Sequence, residues 1–140
     1  MHLTGEYFPN IDDKGRMNFP SKLREELGER FYVTRWVDGS LAAFSEREWA
    51  RICERVMEQP FSSARDAQRQ LSANACLLEP DKQGRVSLPQ NLRERAGILK
   101  EVAVIGVMNR AEIWDRARWQ KKCEEMNEDF YNDIMLGLNL

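Results

Sequence analysis

The chain has 140 residues, of which 42% are apolar and 31% charged, as expected for an ordinary globular domain. Its net charge of −2 excludes a polybasic nucleic-acid binder of the usual kind, whose isoelectric point would exceed about 9. Any contact with nucleic acid must therefore depend on arginine and lysine side chains that are concentrated locally.

Three further features bear on where the protein works. No apolar stretch approaches the ~20 residues that span a membrane, and the N-terminus lacks the basic and apolar regions of a signal peptide. The three cysteines are widely spaced and form no Cys-x-x-Cys pair, which is typical of reduced core thiols in a cytosolic protein. We therefore expect a cytoplasmic protein with no membrane partner.

The first half of the chain predicts strand, turn, strand and a short helix. The two strands are Leu3–Phe8 and Arg16–Phe19, and the turn between them is Asp13-Lys14-Gly15. Pro20 then begins a helix over Ser21–Leu27, which ends at Gly28.

A hairpin and two helices follow. Phe31–Val37 and Leu41–Phe44 are the hairpin strands, joined at Asp38-Gly39. Ser45 and Glu48 have the spacing of a capping box, in which each residue's side chain binds the other's backbone N–H. The helix that follows ends at Gln59-Pro60, and a second helix, about Ala64–Leu71, connects to the second half.

The second half repeats the first. At a constant offset of 69, residues 81–94 match residues 12–25 at seven of fourteen positions. These pairs are Asp12/Asp81, Gly15/Gly84, Arg16/Arg85, Pro20/Pro89, Leu23/Leu92, Arg24/Arg93 and Glu25/Glu94. Two copies of one unit predict a pseudo-symmetric molecule, of a kind suited to a repeated or symmetric ligand.

The repeat also predicts the end of the chain. Val102–Val107 and Ala111–Trp114 form a second hairpin around Asn109-Arg110, and Asp115 caps one final helix. The apolar face of that helix contains Trp119, Cys123, Met126, Phe130 and Ile134. We expect an α+β fold in which two halves, residues 1–59 and 72–140, form one intertwined domain over residues 1–140.

The candidate functional unit is the duplicated Asp-x-x-x-Arg. A glycine precedes each arginine and allows a sharp reversal, which brings Asp12 near Arg16 and Asp81 near Arg85. A carboxylate holds a guanidinium in one orientation, while its remaining N–H groups can contact guanine O6 and N7 or a phosphate. The alternative is an ion pair that only stabilises the turn. Duplication favours the functional interpretation, since it places two such arginines symmetrically.

Other basic residues surround these turns. Lys14 lies within the first turn, and Lys22, Arg24, Lys82 and Arg93 are candidates for phosphate contacts. Surface pairing with the neighbouring Glu25 and Glu94 is an equally good interpretation of the two arginines.

Features of an enzyme are not found. There is no Gly-x-Gly-x-x-Gly or Walker-type loop, and the single histidine, His2, lies at the terminus. We therefore predict no catalytic residue, no metal, no cofactor and no small-molecule substrate.

The quoted residues resemble those of the bacterial MraZ proteins. The first half is similar in Ile11–Arg16, Pro20 and Leu23–Gly28, and the second in Asp81–Arg85, Pro89, Leu92-Arg93 and Glu112–Asp115. The resemblance implies a double-split β-barrel like that of MazE and AbrB proteins, with both copies in one chain. It implies a transcriptional regulator that acts at the nucleoid. It also implies ring-like homo-oligomers that bind direct repeats in double-stranded DNA upstream of their own division and cell-wall operon. DNA binding would fall to Asp12, Arg16, Asp81 and Arg85, with Lys14 beside them, although Gln83 replaces this lysine in the second copy.

Two alternatives to a DNA-binding regulator stay open. A MazE-like protein that neutralises a toxin usually has a disordered tail, whereas this chain ends in a predicted amphipathic helix. A ring-forming scaffold without a nucleic-acid role would leave the two arginine-bearing turns unexplained.

Overall fold

A computed structural model describes residues 2–140 as a mixed α+β fold. Its strands are β1 (Glu6–Tyr7), β2 (Arg16–Asn18), β3 (Phe31–Arg35), β4 (Leu41–Ser45), β5 (Cys76–Leu78), β6 (Arg85–Ser87), β7 (Val102–Val107) and β8 (Arg110–Asp115). Its helices are α1 (Ser21–Leu27), α2 (Glu46–Glu58), α3 (Phe61–Ala73), α4 (Gln90–Ala96), α5 (Arg116–Glu125) and α6 (Glu128–Gly137).

The strands form two antiparallel sheets that mix the two repeats. The larger has the order β1-β7-β8-β4-β3-β5, and the smaller pairs β2 with β6. Strand β1 of the first repeat pairs with β7 of the second, and β5 of the second pairs with β3 of the first. Each repeat therefore supplies an edge strand to the other, and the α+β fold of two tandem repeats with flanking helices is confirmed.

The two hairpins differ in their turns. Asp38 and Gly39 both have positive φ, 60° and 77°, as a two-residue turn between twisted strands requires. In the second hairpin Val107 pairs with Arg110, so the turn residues are Met108 and Asn109. The prediction of a turn at Asn109-Arg110 was one residue late.

The core lies between the sheets and the short helices. Alternate residues of the small ribbon, Met17 and Val86, are both 2% exposed, and the helix residues Leu23 and Leu92 pack with them. Because side chains of a strand alternate between its two faces, burying Met17 and Val86 turns their neighbours outward.

Several element boundaries differ from those predicted. The strand expected over Leu3–Phe8 contracts to β1, because Gly5 has a φ of 91° and Leu3 makes only an isolated bridge to Met108. Helix α3 is longer than predicted because it begins directly after Pro60. The Ser45 hydroxyl accepts the N–H of Glu48 at 3.1 Å. However, the Glu48 carboxylate binds the side chains of Asn109 and Arg51, so only half of the capping box forms.

The predicted final helix is two helices. It breaks at Met126, and the Asn127 side chain caps α6 by accepting the N–H of Phe130 at 2.9 Å. The apolar residues on either side of the break therefore do not share one continuous face. Cys123 is exposed, so it is not a core thiol. Within residues 2–140, none of the helices combines the length and the apolar character needed to cross a membrane.

Candidate nucleic-acid interface

The two Asp-x-x-x-Arg units meet in the small β2–β6 ribbon. Arg16 pairs with Ser87 and Asn18 pairs with Arg85 across an antiparallel ladder centred on Met17 and Val86. The four outer residues share one face, since they alternate with the two buried ones. The fold thus places both arginines on one exposed surface, at diagonal positions that are typically about 7–8 Å apart.

The first turn is held by the Asp12 carboxylate. One oxygen, Oδ1, accepts the backbone N–H groups of Lys14 and Arg16, each at 2.9 Å. The other, Oδ2, accepts Nε of Arg16 at 3.0 Å. Gly15 completes the reversal with a φ of 83°. The aspartate therefore both shapes the turn and tethers the arginine, as predicted from the spacing.

The second turn has the same geometry. Asp81 Oδ1 accepts the N–H groups of Gln83 and Arg85, and Oδ2 accepts Nε of Arg85, all at 2.9 Å. Gln83 contributes the same backbone group as Lys14, so replacing lysine by glutamine leaves the turn intact. The two copies differ in surface charge rather than in backbone geometry.

Both carboxylates are more acidic than usual. Acceptance of the Arg16 backbone N–H is the largest cause that lowers the pKa of Asp12, and the Arg16 guanidinium acts in the same direction. The backbone N–H of Arg85 lowers the pKa of Asp81 in the same way. Each aspartate is therefore ionised at neutral pH and able to orient its arginine.

The arginine tethers leave donors unused. Each guanidinium binds its aspartate through Nε, and neither arginine's Nη groups donate to any residue in 2–140. The Arg16 and Arg85 side chains are 41% and 39% exposed. Each therefore presents a fixed pair of N–H groups to solvent, which is the geometry needed to bind two acceptors at once.

Arg24 and Arg93 support the turns of the opposite repeat. Their Nε atoms donate to the carbonyls of Phe19 and Leu88, both at 3.0 Å. A Cβ added to Gly84 would lie 2.7 Å from Nη2 of Arg24, and one added to Gly15 would lie 2.9 Å from Nε of Arg93. Neither arginine forms a salt bridge with any carboxylate in residues 2–140, so the alternative interpretation, pairing with Glu25 and Glu94, is wrong. The carbonyls and the glycine surfaces hold these guanidinium groups instead.

The remaining candidates are exposed lysines, and two further residues were missed. Lys14, Lys22 and Lys82 are all exposed, the first and last in the two turns and Lys22 in helix α1. Asn18 and Ser87 lie on the ribbon face beside the arginines, and neither residue is predicted as a site residue from the sequence. The sequence carried one indication of them. Residues two apart on a strand lie on the same face, and each of these residues comes two positions after an arginine. Residues 2–140 contain no cluster of histidine, cysteine and carboxylate side chains suited to holding a metal.

Comparison with known proteins identifies relatives that cover most of the chain. Residues 2–74 and 71–134 each match the family model described as "MraZ protein, putative antitoxin-like". A relative from Caldicellulosiruptor bescii, named transcriptional regulator MraZ, is 50% identical over 127 residues, which cover 89% of each protein. A relative of the same name from Caldicellulosiruptor saccharolyticus is 49% identical over 122 residues, covering 86% of this chain and 85% of that protein. The relatives are named as regulators, so the prediction that the chain is not an enzyme is confirmed.

Proposed function

The chain belongs to the MraZ family, and we propose that it is a DNA-binding transcriptional regulator that reads DNA through the β2–β6 ribbon. The observation that carries the proposal is the pair of tethered arginines, Arg16 and Arg85, on one exposed face. The curated relatives are named transcriptional regulators, which supports DNA as the ligand.

The ribbon has the shape and chemistry for the major groove. That groove admits a two-stranded ribbon, and guanine presents O6 and N7 there as a pair of acceptors. The free Nη groups of Arg16 and Arg85 would occupy that pair. Asn18 beside them has the amide that pairs with adenine, and the Ser87 hydroxyl can donate or accept. The ribbon would therefore distinguish bases at neighbouring positions.

Contacts to the DNA backbone would come from the rim of the ribbon. Lys14 and Lys82 are exposed in the two turns and Lys22 on helix α1, and lysine suits a phosphate as a point charge. Arg24 and Arg93 would act chiefly by holding the two turns, with their Nη groups left for phosphate contacts. These five residues would position the ribbon without reading sequence.

Affinity would require several copies of the chain. A net charge of −2 gives each copy little general attraction to DNA, so a homo-oligomer would have to engage successive sites. A ring presents its ribbons in the same sense, which matches direct repeats rather than a palindrome. We propose that such repeats lie upstream of the protein's own division and cell-wall operon, and that the protein acts at the nucleoid in the cytoplasm.

The test of the ribbon uses two alanine variants and a matched control. Arg16→Ala and Arg85→Ala each remove a tethered, exposed guanidinium, and Arg69→Ala removes one that pairs with Asp66 on helix α3, outside the ribbon. Each bidentate contact to a base contributes about 1–3 kcal/mol, so each ribbon variant should lose roughly 5- to 150-fold in affinity per site. Unchanged mobility shifts with the folded ribbon variants would contradict the proposal.

The test of the assembly varies the DNA. Repeats spaced by one helical turn, ~10 base pairs, keep the grooves on one side of the duplex. Inserting ~5 base pairs between repeats should remove most of the gain from multivalency. Equal affinity for one repeat and for three, or indifference to the insertion, would exclude this arrangement.

A second candidate is a toxin-neutralising protein of the MazE kind, which the antitoxin-like description of the family favours. Against it, the C-terminal segment forms helix α6 rather than an irregular tail. A toxin gene beside this one, whose product copurifies with the chain, would support this candidate.

A further inference from the structure

Helix α6 packs little against the other elements of residues 2–140. All of its residues except Met135 are exposed, and none of its side chains forms a hydrogen bond or salt bridge to the elements before it among residues 2–140. Phe130 is 51% exposed and Leu138, just after the helix, is 58% exposed. Isolated helices shorter than about 12–15 residues are marginal in water, so a ten-residue helix needs a surface to pack against.

The exposed helix is amphipathic and acidic. Phe130, Ile134 and Leu138 follow at intervals of four residues, which places them on one stripe. At 100° per residue, Asp133 borders one side of this stripe and Glu128 the other. Residues 127–140 contain three acidic side chains and no basic one. The segment therefore calls for an apolar groove with a basic rim.

The same chain has such a groove in its first repeat. A cleft of about 600 Å³ opens between helices α2 and α3 and the β3–β4 hairpin. Its apolar lining includes Trp36, Val37, Ile52, Val56 and Leu71. Three arginines also line it, Arg35, Arg51 and Arg55, against a single carboxylate, Glu48, which already pairs with Arg51 at 3.2 Å.

The tandem repeat explains why the helix is free. In the first repeat, α3 follows α2 and returns against the sheet, where Thr34 Oγ1 donates to the Leu71 carbonyl at 2.8 Å and Ala64 is buried. In the second repeat, α6 follows α5 but makes no such return. The second repeat therefore has an exposed apolar helix, while the first repeat has an uncovered cleft.

We infer that helix α6 of one copy docks in the α2–α3 cleft of a second copy of this chain. The apolar stripe would cover the cleft lining, and the acidic borders would meet Arg35, Arg51 and Arg55. The contact joins different surfaces of the two copies, so it is head-to-tail and leaves a free helix and a free cleft at the ends. Repetition of the contact would build the ring. The inference thus deepens the homo-oligomer of the proposed function by naming the surfaces that form it.

The experiment uses two full-length variants that are each defective on one side. The helix variant carries Phe130→Asp and Ile134→Asp, and the cleft variant carries Arg51→Glu and Arg55→Glu. Light scattering should find the wild type as an oligomer and each variant alone as a monomer. Arg69→Glu is the control, because this arginine lies on α3 outside the cleft and should leave the oligomer unchanged.

Mixing the two variants decides the outcome. The cleft variant still offers a helix and the helix variant still offers a cleft, so the mixture should form a dimer with one copy of each and stop there. That dimer would also show that both variants are folded. A helix variant that stays oligomeric, a mixture that stays monomeric, or a wild-type monomer with α6 docked on its own chain would overturn the inference.

Failure here is separable from failure of the proposed function. Binding to a duplex with a single repeat needs only the ribbon, so both variants should retain the single-repeat affinity of the wild type. A wild-type oligomer that assembles through α6 but binds no DNA would refute the proposed function and support the interface.

Discussion

Changing Asp12 to asparagine separates the two tasks of this carboxylate. An amide oxygen in place of Oδ1 can still accept the N–H groups of Lys14 and Arg16, so the turn should persist. An amide nitrogen in place of Oδ2 cannot accept from Arg16 Nε, so the tether is lost. The substitution therefore frees the arginine without removing it.

The two consequences for DNA binding have opposite signs. Losing a negative charge strengthens attraction to DNA, but only slightly, since two unit charges 4 Å apart interact by only about 1 kcal/mol in water. A freed arginine must be ordered again on binding, and its rotamer entropy corresponds to about 2 kcal/mol, or up to roughly thirtyfold in Kd. Loss of the tether dominates, and we expect Asp12→Asn to weaken binding by about 5- to 30-fold.

Fluorescence anisotropy with a labelled duplex measures this difference. Asp66→Asn is the matched control, because it removes the same charge from a salt-bridged aspartate outside the ribbon. The control should bind as tightly as the wild type or slightly more tightly. Tighter or unchanged binding by Asp12→Asn would refute the orienting role of the carboxylate.

Three further predictions concern stability. Gly15→Ala should destabilise the fold by more than about 1 kcal/mol, because the φ of Gly15 is 83° and a carbonyl of the other repeat would lie 2.7 Å from the new Cβ. The control is Gly137→Ala, whose new Cβ would meet nothing within 4 Å and which should be nearly neutral in thermal melts. Met17→Ala should cost about 2–5 kcal/mol in urea unfolding, since the side chain is 2% exposed at the centre of the ribbon, and a smaller loss would contradict its core role. Asp12 and Asp81 have lowered pKa values in the folded protein. Their contribution to stability is therefore full above the ordinary pKa of 3.8 and is lost as the pH falls through the lower folded values. Below pH 3.8, the unfolding free energy of the double asparagine variant should depend less on pH than that of the wild type.

The sequence was most informative where chemistry is local. The aspartate, the glycine and the arginine lie within five residues, so their turn and its ion pair followed from spacing alone. The pairing of β2 with β6 joins Met17 to Val86, 69 residues further along the chain, and no local signal selects that partner over another strand. For this reason Asn18 and Ser87 became candidates only when the ribbon face was known.

Other differences between the predicted and the observed structure arose where two sequence signals of similar strength competed. The apolar period running through the last 25 residues masked the capping signal of Asn127, which ends one helix and begins another. Arg24 had an adjacent carboxylate in Glu25, yet it binds the Phe19 carbonyl over a glycine of the other repeat. At Asn127 a local cap prevails over the apolar period, and at Arg24 a contact with the other repeat prevails over local pairing.

The most direct test of the central claim is a coupling measurement between an arginine of the ribbon and the N7 atom of a guanine. Each guanine of the bound site is replaced in turn by 7-deazaguanine, which lacks that acceptor, and Kd is measured for the wild type and for Arg16→Ala. At one guanine, the replacement should weaken the wild type by roughly 5- to 150-fold and leave the Arg16→Ala protein unaffected, because the contact is already lost. If the replacements weaken both proteins equally at every guanine, or neither protein at any, Arg16 does not read the major groove and the account is wrong.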